Sequence, residues 1–326
     1  MRNSCVYIDP GNGLPCVHLL RSEKPGHPSF CNLPGAWVCT EWLRRNLDEV
    51  SYSSAQDFIR CRQRYYLRYV KGLKLKPEHL PEAIKLSKGW KEFMRGQYQP
   101  GYDHSKDIGK LGLNETQWAK LSALMRAFNE LEMGIKKDGY QGCRQTIHVP
   151  IKSTGQQIVG VVDRGYADHV VKITLSSRPE FYQARENIAF QVGTYFLGWE
   201  SWRYVDVEIT RTPSLKTKDG EDPDAYEARL YSDILSRPSY YFLGLDKQER
   251  TYGVRFWKSE FDLDEIYCTF VTVLREIQRT LGDGAWWKNL LACHVPAACE
   301  FLPIKRSGVI SSEIYAQKKK GGELNE

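Results

Sequence analysis

A chain of 326 residues with 41% hydrophobic and 12% aromatic content can bury a sizeable core, which excludes a disordered or fibrous protein. Its apolar runs, such as Ile158 to Val162, are strand-sized and far short of the ~20 residues a membrane span needs, and no apolar stretch follows Met1 to Cys5 as a secretory leader requires. A cytoplasmic protein without a membrane partner is expected. The net charge of +6 suits a nucleic-acid partner through phosphate attraction, although many proteins without one are equally basic.

Residues 1–48 read as irregular, with turn-forming pairs at Pro10-Gly11, Pro25-Gly26 and Pro34-Gly35. Cys5, Cys16, Cys31 and Cys39 fall here without the C-x-x-C spacing of a zinc site, so they read as scattered thiols. A helix is expected from an N-cap at Ser53 or Ser54 to Tyr69. Phe58, Cys61, Tyr65 and Tyr69 recur on it at three and four residues, marking a buried stripe, while Arg60, Arg62, Arg64 and Arg68 fall largely on other faces. A second helix spans about Glu82 to Tyr98, and a third follows the capping residue Asn114 to about Lys136.

The period then changes. Arg144 to Ile151 and Gln156 to Asp163 read as strands joined at Ser153-Thr154-Gly155, and Val170 to Leu175 as a third. A helix from about Arg185 to Trp202, a strand from Tyr204 to Thr210 and a helix from Asp222 to Ser236 follow. Ser239 to Leu245 and Thr251 to Trp257 look like a strand pair, and Leu263 to Leu281 like a helix. The fold class expected is α/β (α+β mixed), a central mixed β-sheet flanked by helices.

Asp163 ends an apolar strand, Val159-Gly160-Val161-Val162, and a turn follows it. That is a common way to hold a metal-binding acid, since Mg²⁺ takes hard oxygen ligands; an Asp at a strand end is also commonly a turn residue. Gln191 and Tyr195 lie at i and i+4 and share a helix face.

The order of these features resembles the RecB-like, phage-type exonuclease branch of the PD-(D/E)XK nuclease superfamily. The resemblance is carried by Ser51 to Ser54 with Phe58 to Tyr66, by Gly160-Val161-Val162-Asp163-Arg164, and by Ser176 to Tyr182. It continues in the Q-x-x-x-Y pattern of Gln191 to Tyr195, in Ala225 to Leu230, and in Cys293 to Pro303. It covers about residues 50 to 305. It implies a restriction-endonuclease-like core over 143–258, preceded by an irregular segment 1–48 and a helical region 49–142. A closing segment 259–310 and a flexible tail 311–326 complete the chain. The activity implied is hydrolysis of DNA phosphodiesters with Mg²⁺ or Mn²⁺ at Asp163, with Lys172, Gln191 and Tyr195 lining the site. The setting implied is the cytoplasm of a bacterial or phage-infected cell, with DNA and a partner protein of a recombination or replication complex as partners.

The D/E-x-K pattern of that superfamily is degenerate here. In Val170-Val171-Lys172-Ile173-Thr174, one register puts Lys172 where the acid belongs and the other puts Val170 there. A lysine in that place repels a divalent ion, since unit charges ~4 Å apart at an effective dielectric of 20 interact by about 4 kcal/mol. Asp168 or Glu180 are the nearby carboxylates that would have to replace it. The G-x-x-x-H helix motif of the branch has Phe93 in the histidine's place, in Gly89-Trp90-Lys91-Glu92-Phe93. Several relatives hold a 4Fe–4S cluster on four cysteines. Cys61, Cys293 and Cys299 match three of those places, and Lys305 stands near the fourth. The alternative reading of these thiols is packing for Cys61 and loop positions for the other two.

The arginines of the first helix, with Tyr65, Tyr66 and Tyr69, offer phosphate donors and stacking faces, to which Trp199, Trp202, Trp286 and Trp287 add aromatics. A solvated basic face over an aromatic core is the alternative. Two functional readings stand: a DNA nuclease, and a catalytically silent DNA-binding or assembly protein on the same fold.

Overall fold

The computed structural model describes residues 49–99, 101–133, 139–152, 155–289, 299–307 and 310–317. The expectations for residues 1–48, Cys293, Ser153-Thr154 and the tail beyond 317 lie outside them.

The chain enters through β1 (Glu49–Ser51) into α1 (Tyr52–Arg60). The cap is Ser51, ahead of the expected Ser53 or Ser54. Its hydroxyl accepts the Ser54 N–H at 3.1 Å, and the Ser54 hydroxyl accepts the Ser51 N–H at 2.8 Å, a reciprocal capping box. The single helix expected to Tyr69 is broken. Cys61 is extended, with φ −163° and ψ 107°, after which α2 (Arg62–Tyr65) and a π-helical turn (Tyr66–Val70) resume. The break keeps the stripe inward, with Phe58, Cys61 and Tyr65 all buried.

After β2 (Leu73–Leu75) come α3 (Glu82–Tyr98), α4 (His104–Gly109) and α5 (Glu115–Glu130). Asn114 and Gln117 cap α5 reciprocally at 2.9 and 3.1 Å, as the sequence implied. The meander follows as β3 (Tyr140–Ile151), β4 (Gln156–Tyr166) and β5 (His169–Ser176), each pair antiparallel. Next, α6 (Arg185–Gly198) crosses over to β6 (Tyr204–Arg211), which lies parallel to β5. Then come α7 (Pro223–Ser236) and α8 (Pro238–Tyr241). The strand expected from Ser239 is instead this helical turn, because Pro238 at its first position presets helical φ. After this turn Phe242 bridges to Thr210 and the Leu243 N–H donates to the Ile209 carbonyl of β6 at 3.1 Å. The last elements are β7 (Val254–Trp257), α9 (Leu263–Asp283), α10 (Leu302–Ser307) and β8 (Tyr315–Gln317).

The architecture is mixed α/β, with a six-stranded mixed sheet between helices and a two-stranded sheet of β2 and β8 beside it. The period-2 rule divides β5. Val171, Ile173 and Leu175 face one core with Trp90, Phe128, Leu230 and Phe242. Val170 faces the other, with Ile188, Val192 and Phe196 of α6 and Val205 and Val207 of β6. A third apolar cluster joins α1 to α9 through Phe58, Ile266 and Phe270. Among the described residues, no helix is long and apolar enough to cross a membrane.

One topological detail positions the site. β3 pairs with β4 along nearly its whole length, from Gln156 to Tyr166. The other edge of β4 is shared: β1 pairs with Gln157–Val159 and β5 pairs with Arg164 and Gly165. Residues 160–163 therefore face a fork where β1 and β5 part.

Candidate functional site

Asp163 sits at this fork, within β4; the strand does not end there, as the sequence suggested, but continues to Tyr166. One carboxylate oxygen, Oδ2, accepts the backbone N–H of Ile173 at 2.8 Å, standing in for a ladder bond as β5 diverges. From α3, Lys91 Nζ donates to Oδ1 at 2.9 Å and to Oδ2 at 3.1 Å. Burial alone would push this carboxyl up. The ammonium groups of Lys91 and Lys172 and the hydrogen bonds from Lys91 and Ile173 outweigh burial and hold it below the usual carboxylate range.

Lys172 shares the strand face of Val170 and is 7% exposed. Among the described residues its ammonium makes no hydrogen bond or close ion pair, although the charges of Lys91 and Asp163 are both felt there. Burial, with repulsion from Lys91, brings its pKa down to about 8 against the attraction of Asp163. A buried ammonium short of partners is costly and favours an anion beside it.

Tyr195 is buried on α6, and Gln191 Nε2 donates to its hydroxyl at 3.3 Å. Burial pushes that hydroxyl's pKa up, and the Asp163 charge pushes it further. Tyr52, at the start of α1, and Tyr182, in the turn after β5, complete the surroundings. Burial raises both, and Tyr182 feels the Lys91 charge while Tyr52 feels Tyr182. The structure thus brings Asp163, Lys172, Gln191 and Tyr195 into one cluster and adds Lys91, Tyr52 and Tyr182, which the motif reading did not single out. Lys91 belongs to the quoted Gly89–Phe93 segment. Attention there fell on position 93, whose Phe is buried in the core, whereas the residue that reaches Asp163 is two places earlier.

Neither of the two carboxylates expected as replacements, Asp168 and Glu180, is free to serve as the second acid. Asp168 is engaged by His169 and Arg203, each at 2.8 Å, and Glu180 pairs with Arg211. Glu208 on β6 is close enough for its charge to repel Asp163. It is, however, paired with the buried Arg164, whose guanidinium also lies 4.1 Å from the Tyr98 ring centroid. Among the described residues, no three His, Cys, Asp or Glu side chains gather to hold a metal ion. Two ammonium groups around one carboxylate are a poor donor set for Mg²⁺ or Mn²⁺, which need oxygen ligands.

No protein-family model and no curated protein sequence matches this chain. The functional reading therefore rests on the residues of the site.

The cysteines expected to hold an iron–sulfur cluster are placed as follows. Cys61 is buried at the helix break. Cys299 is buried with Leu67, Leu73, Phe301 and Tyr315. Cys293 lies outside the described residues. The described donors do not make a four-thiolate site.

The arginines of this segment are largely engaged in ion pairs within the protein. Arg64 and Arg68 both pair with Asp57 and with Glu300 from the far end of the chain. Arg62 bonds Glu276 and Thr280 on α9, with its guanidinium over Phe58 and Trp287. Of the four, Arg60 is the exposed one. Among the expected aromatics, Trp202 is buried, with Nε1 donating to the Tyr166 carbonyl at 3.1 Å, whereas Trp199 and Trp287 are exposed.

Proposed function

We propose that this chain is a nuclease-fold protein that grips the DNA backbone at the Lys91–Asp163–Lys172 cluster and does not run metal-dependent cleavage there. The observation that carries this reading is the bidentate engagement of Asp163 by Lys91, with buried Lys172 beside them. Two positive charges and one negative leave the cluster with one positive charge, which complements the single negative charge of a phosphodiester. A divalent cation entering the same place meets two like charges and one carboxylate already in use, so no step is routed through a metal. Lys88, three residues before Lys91 on the same face of α3 and exposed, offers a further phosphate donor. On this reading the β4–β5 fork keeps the geometry of a nuclease centre, while its chemistry is that of a phosphate clamp used in binding or in assembly with a partner on DNA.

The test is incubation of purified protein with single- and double-stranded DNA in Mg²⁺ or Mn²⁺, beside Asp163→Ala and Lys91→Ala. Retardation of intact DNA, weakened in Lys91→Ala, is the expected result. Cutting that disappears in Asp163→Ala would overturn the reading and establish the hydrolytic one.

A further inference from the structure

The site has an aromatic side as well as a cationic one. Immediately after β5 the chain makes a single 3₁₀ turn, Pro179–Tyr182. Within it, Phe181 and Tyr182 lie edge to face with centroids 5.4 Å apart. Tyr182 turns inward, where it feels Lys91 and Tyr52, whereas Phe181 remains 45% exposed. The turn is anchored at its base, since Asn187 Nδ2 donates to the Phe181 carbonyl at 3.0 Å and Glu180 is paired with Arg211. An exposed phenyl ring on an anchored turn therefore packs on Tyr182, whose hydroxyl feels the charge of Lys91.

We infer that the occupant of this site is an unpaired stretch of DNA, whose backbone phosphate lies against Lys91 and Lys172 and whose base stacks on Phe181. The inference rests on the phosphate-clamp reading above and adds the strand form. In duplex DNA the bases are already stacked on one another and present no free face, so a lone exposed ring adjoining a phosphate site gains nothing from a duplex interior. In a single strand every base offers a π-face, and stacking on an aromatic side chain adds affinity with little regard to sequence. The cationic groups, by contrast, serve either form. The two halves of the site thus have separable signatures.

The experiment measures binding of fluorescein-labelled single-stranded and duplex oligonucleotides of equal length by anisotropy, without divalent metal, for the wild type, Phe181→Ala, Phe181→Trp and Lys91→Ala. Phe181→Ala is expected to weaken single-strand binding about tenfold and leave duplex binding unchanged. Phe181→Trp should retain single-strand binding, which excludes loss of fold as the cause. Lys91→Ala should weaken both. If Phe181→Ala leaves single-strand binding intact, or weakens both forms equally, while Lys91→Ala still acts, the stacking inference is overturned and the phosphate clamp survives. If the wild type binds neither form, both fail.

Discussion

Lys91 Nζ meets both carboxylate oxygens of Asp163, at 2.9 and 3.1 Å, from a helix 72 residues earlier in the chain. The contact closes α3 onto the open fork of the sheet and gives Asp163 a tethered cation. Asp163 is then a structural residue in its own right. It compensates two ammonium groups and also takes the Ile173 N–H that the diverging ladder leaves over. Its replacement by Ala strands the buried Lys172 charge and the Ile173 N–H, while Lys91 can turn to water. Asp163→Ala is expected to lower stability by about 3 kcal/mol, measured by urea denaturation, because an unpaired buried donor and an uncompensated buried charge each cost on that scale. A loss under about 1 kcal/mol would mean that Asp163 is not engaged as described.

Stability should depend on pH through both partners. The folded Asp163 carboxyl lies below its ordinary value, so its contribution is complete above about pH 4 and fades as pH falls through the lower folded value. Lys172 is depressed too, from the usual ~10.4 to about 8. Between those values the unfolded chain binds the extra proton, so stability rises with pH from 8 to about 10.4. Below pH 8 the buried ammonium costs the fold on the order of 3 kcal/mol. Lys172→Met is accordingly expected to be more stable than the wild type at pH 7 and to lose the alkaline rise, as denaturation across pH 7 to 10 would read. An unchanged alkaline rise would show that Lys172 is not the buried group responsible.

The mixed sheet and its helical flanks were legible because strand alternation and helical periodicity are local signals; of the candidate cluster, the sequence showed a carboxylate after an apolar run and an i, i+4 pair, while Lys172 was marked only by the degenerate motif. What could not be read is pairing between distant segments. Nothing near Lys91 in sequence marks it as the partner of Asp163, since exposed lysines on a helix look alike until the helix is docked. The arginines of α1, α2 and the π-helical turn show the same limit. Their spacing shows that they share a helix-rich segment, but only the fold shows that Glu300 turns two of them into a clamp. The strand expected at Ser239 failed for a local reason, since the helical start at Pro238 overrode an aromatic β-like composition.

The charge argument makes a constructive prediction about metal. One register of the degenerate motif places Lys172 where an acid belongs, and Lys172 lies near Asp163 in the structure. Removing the tethered cation and restoring the acid together, as Lys91→Ala with Lys172→Glu, would face two carboxylates across the fork. Calorimetric titration with Mn²⁺ should then detect binding at least about tenfold tighter than in the wild type, given interactions of about 4 kcal/mol per neighbouring charge at ~4 Å and an effective dielectric of 20. Lys91→Ala alone should gain much less, because Lys172 still opposes the ion. Equal, weak Mn²⁺ binding by all three proteins would refute the electrostatic account of the site.

The clamp at the other end of the molecule tests whether its arginines hold the fold together or merely decorate it. Arg68 bonds Asp57 at 2.6 Å and Glu300 at 2.9 Å, and Arg64 lies 3.0 Å from the same Asp57. The Asp57 and Glu300 side chains are only 7% and 11% exposed. Beside them the Tyr315 hydroxyl donates to the Glu300 carbonyl at 2.7 Å, and β8, which carries Tyr315, pairs with β2. Arg68→Ala leaves two shielded carboxylates with Arg64 between them, a loss expected to be about 3 kcal/mol. Arg62→Ala breaks a pair with the more exposed Glu276 and should cost less than about 1 kcal/mol. Hydrogen exchange adds a spatial readout, since Arg68→Ala should speed exchange at Tyr315–Gln317 while leaving β5 and β6 protected. Equal losses from the two substitutions, or exchange unchanged at β8, would show that β8 and the segment at Glu300 are held by the apolar cluster of Leu67, Phe301 and Tyr315 alone.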